Sequence, residues 1–297
     1  MPLADPTSAL PTRPARTRRD RCPGVLRPWP ADDGALVRVR LVGGRVTAAA
    51  LQALSQVAQR HGDGDLHLTA RANLQLRGLP LEGGALPEPV VAEVEATGLL
   101  PSRTHELARN VLCSPLTGLR GGRADLRPLL AELDRRLCAD PVLAALPGRF
   151  CLVLDDGRGD LHAAPADLGL VALDDERAQV RVGRDGWGEV VALDDAVPAL
   201  LGLARRFLAD RGEGPTAAWH VDELPAPWAA SGLPDPAALV VSAPLPHGGA
   251  HVAAPGGALA PVLVEQLAER GDRLVVTPWR GVVVEAEAAG PHGEVAA

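Results

Sequence analysis

The stretch DLHLTARANLQL, residues 65–76, holds two short runs of alternating apolar residues on either side of a polar turn. A second stretch, DRLVVTPWRGVVV at residues 272–284, has a similar order and aligns with the first at Thr69 and Thr277. Apolar residues that alternate with polar ones are typical of half-buried β-strands, and short apolar runs bounded by turns also predict strands. We therefore interpret the two stretches as copies of one duplicated unit, each ending in a pair of strands.

Each copy is preceded by a further strand and an amphipathic helix. In the first copy, ALVRVRL at 35–41 predicts a half-buried strand, and Thr47 can cap a helix with Leu51 and Leu54 on its apolar face. In the second copy, AALVVSAPL at 237–245 predicts the strand and LAPVLVEQLAERG at 259–271 the helix. The unit thus has the order strand-helix-strand-strand.

The region between the copies has a different pattern. It predicts a Leu-rich helix from about residue 126, short strands near 149–154, 168–173 and 178–182, and an amphipathic helix over 194–210. We expect an α+β protein in which two ferredoxin-like half repeats flank an α/β domain. The expected segments are a disordered arm at 1–20, the first repeat at 21–98, the α/β domain at 99–230, the second repeat at 231–285 and a disordered tail at 286–297.

Composition excludes several classes of function. The net charge of −7 and the aromatic content of 2% argue against nucleic-acid binding. All 30 basic residues are Arg, so catalysis by a lysine is excluded. We find no run of eighteen apolar residues and no signal peptide, and we expect a cytoplasmic protein without a membrane partner. The four cysteines are far apart in sequence, which favours reduced, mostly buried thiols over a metal site.

Three short motifs resemble a known family. TARANLQLRG (69–78) matches a Thr-x-Arg-x-x-x-Gln element, ARNVLC (108–113) an Arg-Asn-Val motif, and LPGRF (146–150) a Leu-Pro-x-Lys-Phe motif. Together with RCPGVLRPWP at 21–30 and TPWRG at 277–281, they resemble the nitrite/sulfite reductase superfamily. Within it, the likeness is strongest to the precorrin-3B synthases of cobalamin biosynthesis, and it covers about residues 20–285.

The resemblance implies a ligand and the residues that bind it. Members of the superfamily handle a tetrapyrrole rich in carboxylates, either sirohaem or a corrin precursor, and guanidinium groups pair well with carboxylates. The tetrapyrrole- or anion-binding residues that it implies are Arg71, Gln75, Arg109, Asn110 and Arg149. The implied reaction is the oxygen-dependent hydroxylation of precorrin-3A. The alternatives are a non-catalytic tetrapyrrole-binding module and a fragment of a sirohaem-dependent nitrite or sulfite reductase.

Two positions depart from the family pattern. Arg149 stands where the family usually carries Lys, and Cys151 where the reductases carry another Lys. An Arg cannot donate a proton near neutral pH, so these changes argue against reduction of a bound anion, which needs a titratable group nearby. His162 and His220 lie beside carboxylates in the sequence and could ligate iron, but the sequence favours solvated loop histidines at both positions.

Each of the implied site residues also has a purely structural interpretation. Arg71 could be an exposed turn residue, and Gln75 a polar residue on the solvent face of a strand. Asn110 could cap a turn through its own backbone. Arg149 could form a surface ion pair with Asp155 or Asp156. On the functional interpretation, Arg109 and Asn110 face the macrocycle, and Arg71, Arg109 and Arg149 converge on one pocket.

The family's iron–sulfur cluster lacks its ligands in this chain. Members carry a [4Fe–4S] cluster on C-x5-C and C-x3-C pairs that follow the second half repeat, and none of the four cysteines here has that spacing. The resemblance then leaves three alternatives. The cluster-bearing part is a separate partner chain, the chain is a degenerate remnant, or it binds a tetrapyrrole without redox chemistry.

Overall fold

The computed structural model describes residues 20–225 and 228–285. Nearly all of the expected arm at 1–20, and all of the expected tail at 286–297, lie outside the described residues. The first part of the chain forms β1 (Trp29–Ala31), β2 (Gly34–Val39), β3 (Arg45–Thr47), α1 (Ala48–His61), β4 (Leu66–Leu68), β5 (Leu74–Leu79) and α2 (Glu88–Ala96). The capping of α1 by Thr47 is as predicted, since its side chain accepts a hydrogen bond from the amide of Ala50.

The central part forms a five-stranded sheet with two long helices. Its elements are β6 (Val111–Cys113), α3 (Arg127–Ala139), β7 (Leu152–Asp155), β8 (Leu168–Ala172), β9 (Arg177–Val182), β10 (Gly186–Ala192) and α4 (Leu193–Asp210). The strand order is β10-β9-β8-β7-β6, with β6, β7 and β8 parallel and the remaining pairs antiparallel. Leucines on the inner faces of both helices and apolar residues of this sheet form one continuous core.

The second repeat consists of β11 (His251–Ala253), β12 (Ala258–Leu259), α5 (Pro261–Arg270), β13 (Arg273–Val276) and β14 (Gly281–Glu285). The expected strand at 237–245 is wrong. Residues Pro236–Leu239 form a 3-10 turn, and Val241, further along, is 64% exposed. Pro244 lies within this segment and Pro236 and Pro246 flank it, and a proline cannot donate to a strand ladder. The first strand of the repeat is β11, which lies later in the chain.

The two repeats complete each other's sheets. One sheet has the order β1-β2-β5-β4-β12 and the other β11-β14-β13-β3. The short strand β3 of the first repeat pairs with β13 of the second, and β12 of the second repeat pairs with β4 of the first. Helices α1 and α5 pack against each other. This reciprocal exchange relates the two halves by a pseudo-twofold axis.

The duplication extends to the details of the turns. Thr69 begins a turn in which Ala72 has a φ of 53°, and Thr277 begins one in which Arg280 has a φ of 56°. In both turns the threonine amide donates to the carbonyl of the fourth residue on, Asn73 or Gly281. The α+β class and its ferredoxin-like halves are therefore confirmed, while the exact domain boundaries given above stay a prediction.

Helices in the described part of the chain are all too short or too polar to cross a membrane.

Candidate functional site

Several positively charged side chains gather on the face of the first sheet that points away from its helices. Arg38 in β2 and Arg40, which directly follows β2, lie on this face. Gln75 on β5 is directly opposite Arg38. Arg71, in the turn between β4 and β5, and Arg149, from the loop before β7, complete the group. We call these five residues the arginine face.

Arg38 and Arg40 carry buried nitrogens without partners among the described residues. Within the described ranges, Nε of Arg38 and both Nε and Nη2 of Arg40 are buried and make no hydrogen bond. Arg40 is 3% exposed. Burial, reinforced by the neighbouring Arg38, lowers the pKa of Arg40 to about 10. Buried donors normally have a partner, and an unpaired buried cation is costly. An anionic ligand would supply both the acceptors and the missing charge.

Arg71 and Arg149 are brought together by the structure. Nη1 of Arg71 donates to the backbone carbonyl of Arg149 at 3.0 Å. The guanidinium of Arg149 lies 5.3 Å from the ring centroid of Trp219, and its Nε is 3.8 Å from Asp20. The alternative in which Arg149 pairs with Asp155 or Asp156 is therefore wrong. Among the described residues, the other guanidinium nitrogens of Arg71 make no hydrogen bond with the protein.

The structure sets Arg109 apart from the other arginines. It is 7% exposed, and its Nε and Nη2 form a two-point ion pair with Asp134 of α3, at 2.7 and 2.8 Å. Its Nη1 donates to the carbonyls of Arg40 and Leu99, both at 3.4 Å. All three of its nitrogens are thus engaged by the protein. The structure does not show Arg109 facing the pocket at Arg71. Arg71 and Arg149 are in contact, but of the three arginines expected to converge, Arg71 alone is among the described residues that line that pocket.

Asn110 is likewise engaged inside the protein. Its Oδ1 accepts from Nδ2 of Asn73 at 3.0 Å, and its Nδ2 donates to the carbonyl of Phe150 at 3.2 Å. Asn73 in turn accepts from the amide of Leu41 at 2.9 Å. This amide relay joins the first sheet to the central sheet. It is neither the local turn cap nor the ligand contact that the sequence suggests, because both partners are distant in sequence and buried.

The segment before β1 covers one side of the arginine face. Glu106 accepts the amides of Val25 and Leu26, at 2.6 and 3.1 Å, and Asp20 accepts the amide of Gly148 at 2.7 Å. These contacts place the carbonyl of Pro23 within 3.2 Å of Nη1 of Arg40. The segment thus fixes one nitrogen of Arg40 and leaves its others for a ligand.

Sequence reasoning did not single out Arg38, Arg40 or Asn73. In ALVRVRL the two arginines occupy alternate positions, which is the pattern of an ordinary solvent-facing strand surface. The usable signal was that they share a sheet face with Gln75, which depends on the pairing of β2 with β5. Asn73 lies inside the TARANLQLRG motif itself but has no partner nearby in sequence.

A cavity of about 600 Å³ lies beside Arg71. It is bounded by the loop at residues 162–167, by the β9–β10 turn and by the segment from His220 to Glu223. Both histidines singled out from the sequence line it. The same wall holds Asp167, which is buried and accepts the amides of Cys151 and Val221, both at 2.8 Å.

The four cysteines do not fit an iron–sulfur cluster. All four are free, three are buried and Cys138 is half-buried. Burial raises the pKa of Cys151 to about 12 and that of Cys138 to about 11, so both hold their protons near neutral pH. Cluster ligands are thiolates. Across residues 20–225 and 228–285, no three His, Cys, Asp or Glu side chains are grouped in a way that could hold a metal ion.

Comparison with known proteins connects this geometry to a family. Residues 30–83 match the family model of the nitrite/sulfite reductase ferredoxin-like half domain. A precorrin-3B synthase from Sinorhizobium sp is 36% identical over 161 residues, which cover 54% of this chain and 34% of that protein. A ferredoxin–nitrite reductase from Synechococcus elongatus is 33% identical over 141 residues, covering 45% of this chain and 27% of that protein.

A solved structure shows the same fold over most of the chain. The structure of the Mycobacterium tuberculosis NirA protein superposes with a TM-score of 0.65 at 20% identity, covering 91% of this chain and 60% of that one. The half domain, the relatives and this fold together support the resemblance to the nitrite/sulfite reductase superfamily that the sequence motifs predicted. Among the relatives quoted, the precorrin-3B synthase has the highest identity, although the match spans only about a third of that protein.

Proposed function

We propose that the chain binds a polycarboxylate tetrapyrrole on the arginine face and acts in a reaction of the precorrin-3B synthase type. The observation that carries the proposal is the set of buried, unpartnered guanidinium nitrogens on Arg38 and Arg40 within the described ranges. Carboxylates are the partners that satisfy such donors, often two bonds at a time. Gln75 and Arg71 add donors on the same side, so one ligand with several carboxylates can engage them together.

The binding test uses uroporphyrin III, a stable tetrapyrrole with eight carboxylates, titrated into the purified chain with its fluorescence as readout. We expect binding in the micromolar range or tighter, and a loss of at least about tenfold in Arg38→Ala and Arg40→Ala, the effect of one charged hydrogen bond. Arg77→Ala is the matched control. Arg77 lies on the same sheet but pairs with Asp33, 3.3 Å away. Equal affinities in all variants would contradict the proposal.

The chemistry of the complete reaction requires more than this chain provides. When bound, the family's iron–sulfur cluster supplies electrons, but the cysteines here do not fit it, so we propose a separate cluster-bearing partner. We further propose that the substrate is precorrin-3A and the reaction its oxygen-dependent hydroxylation. What supports this is the identity to precorrin-3B synthase together with Arg149 and Cys151, which replace the titratable lysines of the reductases.

The activity test supplies the missing part in trans. The chain is mixed with precorrin-3A, oxygen and the portion of the Sinorhizobium precorrin-3B synthase that lies outside the matched region, and the product is followed by mass spectrometry. A gain of one oxygen atom supports the catalytic proposal. Binding without any product favours the second candidate, a non-catalytic tetrapyrrole-binding module. The burial of three of the cysteines and the raised pKa of Cys151 support this candidate.

A further inference from the structure

The cavity beside Arg71 contains a histidine whose charge the protein can control. His220 lies in its wall, with its side chain 34% exposed. Its Nδ1 is 3.2 and 3.3 Å from the two carboxylate oxygens of Asp167. Because Asp167 is held by two backbone amides, it presents an acceptor, and Nδ1 of His220 carries the proton. Within the ranges that the structure describes, Nε2 of His220 has no hydrogen-bond partner and is left for the cavity.

The surroundings of His220 favour its protonated form. The hydrogen bond with Asp167 raises the pKa of His220, and burial opposes the rise. The charged and titratable groups that face the cavity come from four segments: Arg71 from the β4–β5 turn, His162 and Asp167 from the loop before β8, Arg181, Arg184 and Asp185 from the β9–β10 hairpin, and Asp222 and Glu223 beside His220 itself. The charge of Glu223 also raises the pKa of His220, as Asp167 does, and the charge of Arg71 lowers it.

The cavity is continuous with the arginine face. Arg71 belongs to both, and its side chain is anchored on the carbonyl of Arg149. The guanidinium of Arg149 lies over Trp219, the residue before His220. A second orphaned donor faces this region, since Nε of Arg181 is buried without a partner in the described part of the chain. On the side of the cavity that is remote from Arg38 and Arg40, the lining residues therefore offer hydrogen-bond donors to an anion.

These contacts distinguish His220 from the other candidates for a titratable group. Arginine stays charged throughout the neutral range, and Cys151 keeps its proton because burial raises its pKa to about 12. Histidine is the side chain that changes charge between pH 5 and 8. His162 shares the cavity but has no carboxylate partner among the described residues. Asp167 thus singles out His220.

We propose that His220, positioned by Asp167, is a pH-dependent hydrogen-bond donor in the tetrapyrrole site. In its imidazolium form, its Nε2 donates to a carboxylate arm of the ligand, and that arm enters the cavity beside Arg71. The inference rests on the proposed function and adds a subsite to it. The bound carboxylate favours the charged imidazolium further, so the ligand binds more tightly at acidic than at alkaline pH. Because only the single charge of His220 changes with pH, the dissociation constant should change by a limited factor and then level off.

The experiment measures uroporphyrin III affinity at several pH values between 6 and 9, a range in which the ligand's carboxylates stay ionised. We expect wild-type affinity to fall about tenfold from the acidic to the alkaline end, the factor that corresponds to one pKa unit of linkage. His220→Gln keeps a hydrogen-bonding side chain but cannot titrate, and its affinity should be lower at pH 6 and nearly constant with pH. His162→Gln is the matched control and should keep the wild-type dependence.

The outcomes separate this inference from the proposed function. If uroporphyrin fails to bind at every pH, the proposed function fails and the subsite with it. If it binds with the same affinity throughout in the wild type, or if His220→Gln keeps the full pH dependence, only the subsite is overturned. A nuclear magnetic resonance titration of the His220 ring adds a direct readout, since the pKa of His220 should rise when uroporphyrin is added. In an Arg38→Ala, Arg40→Ala double variant, which should not bind the ligand, the pKa should stay constant on the same addition.

Discussion

Arg40 combines burial with unpaired donors, which makes its contributions to stability and to binding opposite in sign. Removing an unpaired buried cation relieves its desolvation, and apolar replacements of buried charges are often neutral or stabilising. We expect Arg40→Met to raise the free energy of unfolding of the ligand-free chain by about 1–3 kcal/mol. The same variant should lose at least about tenfold in uroporphyrin affinity. Urea unfolding and the fluorescence titration measure the two effects.

Arg77→Met is the control for this pair of measurements. Arg77 is partly exposed and its ion pair with Asp33 is solvated, so both quantities should change little. A loss of stability in Arg40→Met, comparable to that of a core substitution, would show that Arg40 is a structural residue.

Asp160 predicts a pH dependence of stability that is separate from the ligand site. Its side chain is 5% exposed and accepts a hydrogen bond from Ser114 at 2.7 Å. Burial, with added repulsion from Asp155, raises its pKa to about 7, although Ser114 opposes the rise. The folded state therefore prefers the protonated acid. Its contribution is fully present below the unfolded pKa near 4 and is lost as the pH rises towards 7.

Asp160→Asn removes this titration. We expect the variant to equal the wild type near pH 4 and to exceed it by about 4 kcal/mol at pH 8, the equivalent of about three pKa units, as measured by urea unfolding at both values. Asp174→Asn provides the opposite case. Hydrogen bonding to Arg177 lowers the pKa of Asp174, so this variant should be less stable than the wild type by a constant amount above pH 4, and the difference should shrink as the pH falls below 4. A difference for Asp160→Asn that does not change with pH would contradict the assignment.

At the scale of elements, the two glycines before β3 allow the repeats to approach. Gly44 has a φ of +73°, and a Cβ there would overlap the carbonyl oxygen of Val276 on β13. We expect Gly44→Ala to lower the free energy of unfolding by more than about 2 kcal/mol, from left-handed strain and the clash together. Gly256 occupies the equivalent turn of the second repeat, with a φ of +62°, and a Cβ there would meet no atom within 4 Å. Gly256→Ala should cost only the strain, about 1 kcal/mol.

Thermal or urea unfolding of the two variants compares them directly. Equal destabilisation would mean that strain alone matters and that the contact between β3 and β13 is not tight in solution.

The elements that the sequence predicted well are those set by local periodicity. Helix α1 begins after its predicted cap, and the strands on either side of Thr69 and Thr277 lie where alternation indicates. The strand expected at 237–245 failed because valine runs favour a strand locally, whereas the place in the sheet is taken by β11, which pairs with β14. The exchange of β3 and β12 between repeats could not be foreseen, because pairing between distant segments leaves no local pattern.

The candidate site was predictable only where a motif named a residue. Arg71 and Gln75 could be located from their motif, but Arg38 required knowledge of strand pairing. Arg109 and Asn110 carried an equally clear motif and have structural partners in the interior. Polar residues that precede a short apolar run can either join two domains or bind a ligand. The hydrogen-bond partner that decides between these roles is remote in sequence, so the motif alone does not reveal it.

At the scale of the whole molecule, the amide relay through Asn110 joins the first sheet to the central one. Asn110→Ala removes the acceptor for Asn73 and the donor for the carbonyl of Phe150, and both groups are buried. Leaving two buried polar groups unpaired should lower the free energy of unfolding by about 2–5 kcal/mol. If Asn110 instead contacts the ligand, the variant would keep its stability and lose uroporphyrin affinity. Unfolding and binding measured on the same preparation distinguish the two.

The pseudo-twofold axis predicts the stoichiometry of binding. In the second repeat, His251 lies opposite Val283, at the positions that correspond to Arg38 and Gln75 of the first. His251 is buried and bonded to Thr277, and Trp279 stands where the first repeat has Arg71. We therefore expect isothermal titration to give one uroporphyrin per chain. Two equivalent sites would show that these replacements do not abolish binding.

The exchange of short strands between the halves also has a consequence for how the chain is made. The edge of β4 is covered only by β12, which is synthesised almost two hundred residues later. Until those residues leave the ribosome, the nascent first half exposes an open sheet edge, the kind of surface that invites aggregation and chaperone binding. The second half of the chain therefore protects the first half from aggregation after synthesis, in addition to completing the first sheet.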